Sequence, residues 1–408
     1  MAGPSGRLRG RLPAVRRPLQ TRKCRDGARG QRDRSVIAVR PEILLGYQRK
    51  LCRAGRPLAS PPAITYSGAQ IPGGAAMDAT EVLNQLTLHV DAKEVPIPAH
   101  ISEEARRFLA TAGAAPRSKM PASTDATAWR EAAKAWDERI LPMIEPLLAG
   151  LPIALETQRI GQCDVHIATP HGLSGPAATY TYLDIHGGAL VFGGGRFAQL
   201  MAIGRAAALG VRVFSVDYRM PPAHPYPAPL DDCVHAYAHL LKTHNPAHIV
   251  IGGLSAGGNL AAATILRARD EGLKLPAAAV LLTPELDLTE SGDTFVTNET
   301  IDVALPEKLP QANALYANGA DLAHPYLSPL FGDFSKGFPP TFLQSGTRDL
   351  FLSNTVRMHR ALLNAGQQAE LHVWEAMPHA GFGGGTPEDV DMFQTVRAFL
   401  IREAGWVL

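Results

Sequence analysis

Residues Ile249-Val250-Ile251-Gly252-Gly253-Leu254-Ser255-Ala256-Gly257-Gly258-Asn259-Leu260 decide how this chain is read. A β-branched run enters Gly-x-Ser-x-Gly, and an Ala-rich stretch to Ala268 follows at once. That pattern predicts a strand, a sharp turn and a helix, the context in which a serine Oγ is pushed clear of the backbone as a nucleophile. Gly253 and Gly257 lack the Cβ atoms that would collide across so tight a turn. The helix N-terminus behind Ser255 favours a negative charge developing beside it. With 38 glycines in the chain, Gly-x-Ser-x-Gly alone arises by chance. The strand before it and the helix after it make it informative.

A nucleophilic serine needs a base, a carboxylate to orient that base, and donors for an oxyanion. Upstream, Tyr180-Thr181-Tyr182-Leu183-Asp184-Ile185 reads as a strand that breaks into His186-Gly187-Gly188-Ala189, a loop able to present bare N–H groups. Downstream, Thr341-Phe342-Leu343-Gln344-Ser345 ends in Gly346-Thr347-Arg348-Asp349. A last strand, Glu370-Leu371-His372-Val373-Trp374, leads to Met377-Pro378-His379-Ala380-Gly381-Phe382. Ser255, Asp349 and His379 therefore follow one another in the order Ser, Asp, His, each just past the C-terminal end of a strand. In open α/β sheets sites assemble at that edge. Glu375 and Asp287 compete with Asp349 for the acid, but position after the seventh strand favours Asp349. Asp217 and Arg219 are expected to form a structural ion pair, and His224, between prolines, to be structural.

These motifs resemble the hormone-sensitive-lipase-like (bacterial family IV) carboxylesterases of the α/β-hydrolase superfamily, over about Tyr180 to His379. The resemblance includes Asp217-Tyr218-Arg219-Met220-Pro221-Pro222-Ala223-His224-Pro225-Tyr226-Pro227-Ala228, Ser328-Pro329-Leu330 and the closing His379-Ala380-Gly381-Phe382. It implies Ser255 as nucleophile, His379 as general base and acid, and Asp349 as orienting carboxylate. The N–H groups of Gly188, Ala189 and Ala256 would form the oxyanion hole, with His186 and Gly187 supporting the loop. Two departures stand out: Leu254 where the family usually has Asp or Thr, and Ala189 where it usually has a third glycine. Neither removes a backbone N–H. The implied activity is two-step hydrolysis of short- to medium-chain acyl esters. Lactone, amide or carbamate hydrolysis by the same triad is the alternative, and a non-catalytic small-molecule receptor is a weaker one because all three triad residues are present.

The 408 residues, 46% hydrophobic, fit a soluble globular protein with a substantial core. No apolar run approaches the ~18 residues of a membrane span. Cys24, Cys52, Cys163 and Cys233 show neither metal-ligand spacing nor a disulfide framework, and read as free thiols in a reducing, cytoplasmic compartment. There is no His-Glu-x-x-His pair and no phosphate or dinucleotide fingerprint, so the expected chemistry uses no metal and no cofactor. Net charge of +2 averages two unlike parts. Residues 1–76 carry 16 Lys or Arg against Asp26, Asp33 and Glu42, which leaves 24 basic and 35 acidic residues in the rest. That head has only Tyr47 and Tyr66 to interleave with its arginines, so nucleic acid is not an expected partner. It reads as a disordered extension ahead of a start at Met77.

Residues 77–157 read as helical. A helix start is expected at Asp78-Ala79-Thr80-Glu81, a second segment over Ile101 to Gly113 capped by Ser102, and a third over Thr127 to Leu148, broken near its end by Pro142 and Pro146. In the family resembled, such helices cap the active site together with an insertion, here about 289–330. From Gln158 on, strands (158–162, 164–169, 179–185, 211–216, 248–253, 277–283, 340–345, 369–374) alternate with helices (197–209, 231–243, 256–270, 352–365, 387–404). The α/β class follows: residues 158–408 form a mostly parallel sheet covered on both faces.

Overall fold

The computed structural model describes residues 92, 94–113 and 119–408. One compact unit runs over Lys93–Leu408. The basic head, the Met77 seam and the helix start at Asp78 lie outside the described residues.

Two helices come first. Ser102 caps α1 (Glu103–Ala112) through its side chain, which accepts from Ala105 N–H. Asp125 caps α2 (Ala126–Leu148) in the same way through Ala128 N–H. The expected break at Pro142 and Pro146 does not occur, and α2 runs through both. The two prolines are exposed, as is Glu138, whose carbonyl loses its partner, so water can satisfy the freed groups. Half-buried Ile140, Ile144 and Leu148 continue the apolar stripe across them.

The remaining elements alternate: β1 (Ile153–Ile160), β2 (Cys163–Pro170), β3 (Thr181–Ile185), α3 (Arg196–Leu209), β4 (Arg212–Asp217), α4 (Ala228–Leu240), β5 (Ile249–Leu254), α5 (Ala256–Asp270), β6 (Ala278–Leu282), α6 (Thr294–Thr297), α7 (Pro310–Ala317), β7 (Thr341–Gly346), α8 (Leu352–Asn364), β8 (Ala369–Trp374) and α9 (Pro387–Glu403). All eight expected strands are present. The first lies earlier than expected: as an edge strand open to solvent along most of its length, Ile153–Ile160 carries little apolar alternation to read. It ends at Gly161, whose φ of +62° makes the tight turn into β2.

The strands form one sheet in the order β1-β2-β4-β3-β5-β6-β7-β8. β2 is antiparallel to both β1 and β4, and every other pair is parallel. Successive residues of a strand face opposite sides. Thus Leu183, Phe214, Ile251 and Leu281 join α4, α5 and α8 on one face. Their neighbours Tyr182, Val213, Val250 and Val280 join α3 and α9 on the other. Among the described residues, no helix is long and apolar enough to cross a membrane.

A buried ion pair lies within this core. Arg205 of α3 donates to Asp184 of β3 at 3.2 Å, beside Ser215 Oγ at 3.3 Å, and lies over the rings of Tyr182 and Phe393. Asp184→Ala would leave the guanidinium buried without its counter-charge. The expected loss of stability is about 3–5 kcal/mol, read from urea unfolding midpoints at constant slope.

Candidate active site

Parallel pairing of β3 with β5 places Ile185 beside Gly253, so the segments that leave both strands emerge side by side. Ser255 follows β5 at φ 59°, ψ −122°, a strained conformation for a residue with a Cβ, and α5 begins at the next residue. Glycine is required around it. A Cβ on Gly253 would stand 2.3 Å from the Gly257 carbonyl, and one on Gly257 would stand 1.9 Å from Ile185 O. The turn is pinned by backbone bonds: Ser255 N–H donates to Leu282 O (2.9 Å), and Ser255 O accepts from Asn259 and Glu285 N–H (both 3.2 Å).

Ser255 Oγ lies 2.8 Å from His379 Nε2, and His379 Nδ1 lies 3.0 Å from Asp349 Oδ1. Three chain-distant residues thus meet in one hydrogen-bonded line. Asp349 is fully buried, while Ser255 and His379 keep 7% and 8% of their surface exposed. Ser345 Oγ and Phe351 N–H both donate to the Asp349 carboxylate (2.6 and 3.0 Å), which fixes its plane. Phe351 also stands edge-on to the His379 ring at 4.9 Å. Burial disfavours the imidazolium, but the hydrogen bond and charge of Asp349 outweigh it, and His379 is held above its usual range near 6.5.

The loop after β3 runs along this line. A Cβ on Gly187 would come within 3.3 Å of Ser255 Cβ and 2.9 Å of Leu254 O. Gly188 (φ 122°), Ala189 (φ 51°) and Leu190 (φ 64°) all turn through left-handed backbone, closed by Val191 and Phe192 N–H donating to Gly188 O. Ala256 is the first residue of α5, so its N–H has no acceptor within the helix. Among the described residues, no acceptor takes the N–H of Gly188 or Ala189 either. His186 supports the loop from below: Nδ1 contacts Gly187 O at 2.8 Å, its ring stacks on Tyr218 at 4.1 Å, and burial holds it below its ordinary value.

A sequence profile of the α/β hydrolase fold matches residues 182–382. An acetyl-hydrolase of Streptomyces hygroscopicus is 32% identical over 222 residues, covering 54% of this chain and 73% of that relative. A solved structure of an esterase superposes with a TM-score of 0.71 at 35% identity, over 78% of this chain and 99% of that one. An esterase from the bacterial hormone-sensitive lipase family gives a TM-score of 0.61 at 30% identity, over 74% and 99%. The chain belongs to the hormone-sensitive-lipase-like family of α/β hydrolases.

Within this hydrolase, the expected Asp217–Arg219 pair and the structural place of His224 depart from the sequence reading, while Asp287 stands apart from His379 as that reading favours. Asp217 and Arg219 do not pair. β4 ends at Asp217, so the two part company: Asp217 accepts from Gly195 N–H and contacts His166, while Arg219 forks onto Asp232 of α4. His224 is exposed, and among the described residues only its backbone is engaged, donating to Met220 O. Asp287 is tied to Thr289, Ser291 and Arg357 rather than to His379. Among the described residues, no cluster of three His, Cys, Asp or Glu side chains is arranged for a metal.

Other residues at the site are not marked as functional by the sequence. Trp129 and Trp136 of α2 both pack on Phe192 of the loop after β3, at 5.9 and 5.8 Å between centroids. Trp129, Phe192, Phe295, Leu309 and Phe351 belong to one apolar cluster, which joins α2, that loop, the 289–330 segment and the Asp349 loop. Buried Glu285, after β6, is pushed up to about 8 by its burial and by the charge of Glu290. Buried Asp302 reaches the His379 loop. Periodicity puts Trp129 and Trp136 on the apolar stripe of α2 but does not say what they meet, and motif spacing reveals neither the Glu285 nor the Asp302 contacts, because each joins distant segments.

Substituting Gly257→Ala forces a methyl into the Ile185 carbonyl, and no flexible side chain is there to yield. The expected cost is about 3 kcal/mol or more, seen as a lowered melting temperature together with loss of Ser255 labelling by a fluorophosphonate.

Proposed function

We propose that Ser255, His379 and Asp349 are the catalytic triad of a serine carboxylesterase. The observation that carries this is the unbroken Ser255–His379–Asp349 hydrogen-bonded line at 2.8 and 3.0 Å on a strained elbow. His379 Nε2 takes the Ser255 proton as Oγ attacks an ester carbonyl, and Asp349 steadies the imidazolium that forms. The N–H groups of Gly188, Ala189 and Ala256 receive the oxyanion. Collapse of the tetrahedral intermediate breaks the carbon–oxygen bond to the alcohol, which leaves with the proton from His379. Water then attacks the acyl-enzyme by the same route and releases the acid. Because neutral His379 is the working base, activity rises as pH passes its elevated pKa and is lost below it.

The substrate class is a short- to medium-chain acyl ester, roughly four to eight acyl carbons, each methylene contributing about 0.8 kcal/mol until the pocket is full. The aromatic cluster of Trp129, Phe192 and Phe351, which joins the loop after β3 to the ring of His379, together with the near-burial of Ser255 supports a confined site. In this reading, residues 77–157 and the 289–330 insertion cap a catalytic domain of residues 158–408, with 1–76 an extension. Buried, unpaired Cys163 and Cys233 accord with a cytoplasmic setting.

Ser255→Ala should lower kcat on the order of 10^4-fold or more, because the triad acts as a unit. Asp349→Asn should cost several decades as well, whereas Asp287→Asn, whose carboxylate serves Arg357, should change kcat less than about tenfold. Steady-state kinetics well below each melting temperature decide it, and near-full turnover by Asp349→Asn would overturn the assignment of the acid.

A panel of ester, lactone and anilide substrates tests the reaction class. Soluble butyrate to octanoate esters should be turned over fastest. Preference for emulsified long-chain triglyceride, or for lactone or anilide, would replace the reading. Absence of fluorophosphonate labelling would point to a receptor.

A further inference from the structure

We propose that Asp302 is a positioning residue of this reaction, a second buried carboxylate that ties the base loop to the acid loop and faces the imidazolium as it forms. The proposal rests on the triad reading above.

Asp302 belongs to the segment between α6 and α7 and is fully buried. Its Oδ2 accepts from Leu350 N–H (2.8 Å) and from His379 N–H (3.2 Å). Its Oδ1 accepts from Ala304 and Leu305 N–H (2.9 and 3.0 Å) and lies 3.3 Å from the same His379 nitrogen. Leu350 follows the acid Asp349. One carboxylate therefore anchors both ends of the Asp349–His379 hydrogen bond through backbone donors. Every one of these contacts uses the carboxylate as an acceptor, which favours its ionised form. Its neighbour Asn298 reinforces the link, with Nδ2 donating to Asp349 O at 2.8 Å and Asp302 N–H donating to Asn298 O at 3.1 Å.

Charge adds to geometry. The ionisable groups facing His379 are Asp349 from the β7–α8 loop, Asp302 from the inserted segment, and Glu285 from the end of β6. Asp302 in turn faces Asp349 and His379. Its burial and the charge of Asp349 push it up to about 6, and the backbone donors pull it down. The four backbone N–H donors on its oxygens favour the charged form, and as a carboxylate beside His379 it favours the imidazolium. Removing that charge, or loosening the Asp349–His379 hydrogen bond that Asp302 anchors, weakens the base, whereas a role confined to fold stability would lower the melting temperature and turnover without moving the acid limb.

The test compares the full-length wild type with Asp302→Asn and with Asp302→Ser, which removes the charge without presenting amide hydrogens to the Leu350 and His379 N–H groups. kcat and KM for p-nitrophenyl butyrate and the rate of Ser255 fluorophosphonylation are measured across pH, with thermal melts alongside. The wild-type acid limb should lie above 6.5. In both variants its midpoint should fall by at least about 0.5 pH unit, with kcat down about tenfold and KM within about threefold. An unmoved midpoint with a lowered plateau, a rise in KM alone, or failure of both variants to fold would overturn the proposal. If wild-type Ser255 is not labelled, the triad reading itself fails and this proposal with it. A labelled wild type with an unmoved limb in the variants sinks the Asp302 role alone.

Discussion

The Ser255 backbone is the constraint on which the rest of the site depends. A residue with a Cβ held at φ 59°, ψ −122° persists only where its surroundings over-determine it. Here they do so by contact. The turn is seated so closely between β3 and α5 that Gly253 and Gly257 have no room for a Cβ, and its backbone is bonded to Leu282, Asn259 and Glu285. Strain at one residue is thus carried by the central sheet. In return, Oγ projects past the strand ends to the place where His379 and the loop after β3 converge.

Around that fixed point the site is built in two ways. Backbone groups form one part: the left-handed run Gly188-Ala189-Leu190 and the start of α5 supply N–H donors whose positions follow from the chain path rather than from rotamers. Side chains form the other, and each is oriented by something behind it. His379 has Asp349, Asp349 has Ser345 and the Phe351 N–H, and His186 has the Gly187 carbonyl and the Tyr218 ring. A site assembled this way spends little on reorganisation when charge develops, which is where electrostatic stabilisation gains its strength.

The helices ahead of the sheet join this arrangement through aromatic contact. Phe192 closes the loop after β3 through its N–H and stacks on Trp136 with its ring, so one residue belongs to both that loop and the α2 interface. The 289–330 segment enters the same apolar cluster through Phe295 and Leu309, and reaches the Asp349 loop through Asn298 and Asp302. Packing of the aromatic cluster and alignment of Ser255, His379 and Asp349 are therefore physically connected.

The sheet was legible in the chain because short, mostly apolar strand segments alternate with longer helical segments, and strands and helices repeat with different periods. Both periodicities are local properties of the covalent chain. The elbow, the Gly-Gly loop and the order Ser255, Asp349, His379 were legible for a related reason: glycine at fixed offsets records where backbone must approach backbone. What escaped was long-range or open to solvent. The edge strand β1 carries little pattern because it borders water on one side, and α2 passes through Pro142 and Pro146 because exposed carbonyls can bond to water. Asp217 and Arg219, two residues apart, found different partners, since the end of a strand sets side-chain direction more strongly than sequence distance. Asp302 lies 47 residues from Asp349 and 77 from His379, and its position beside both was decided by tertiary packing alone. The sequence by itself determined the sheet, the elbow and the candidate chemical groups; only the folded structure decided which buried charges face one another, because that depends on how separate loops close over the same few ångströms.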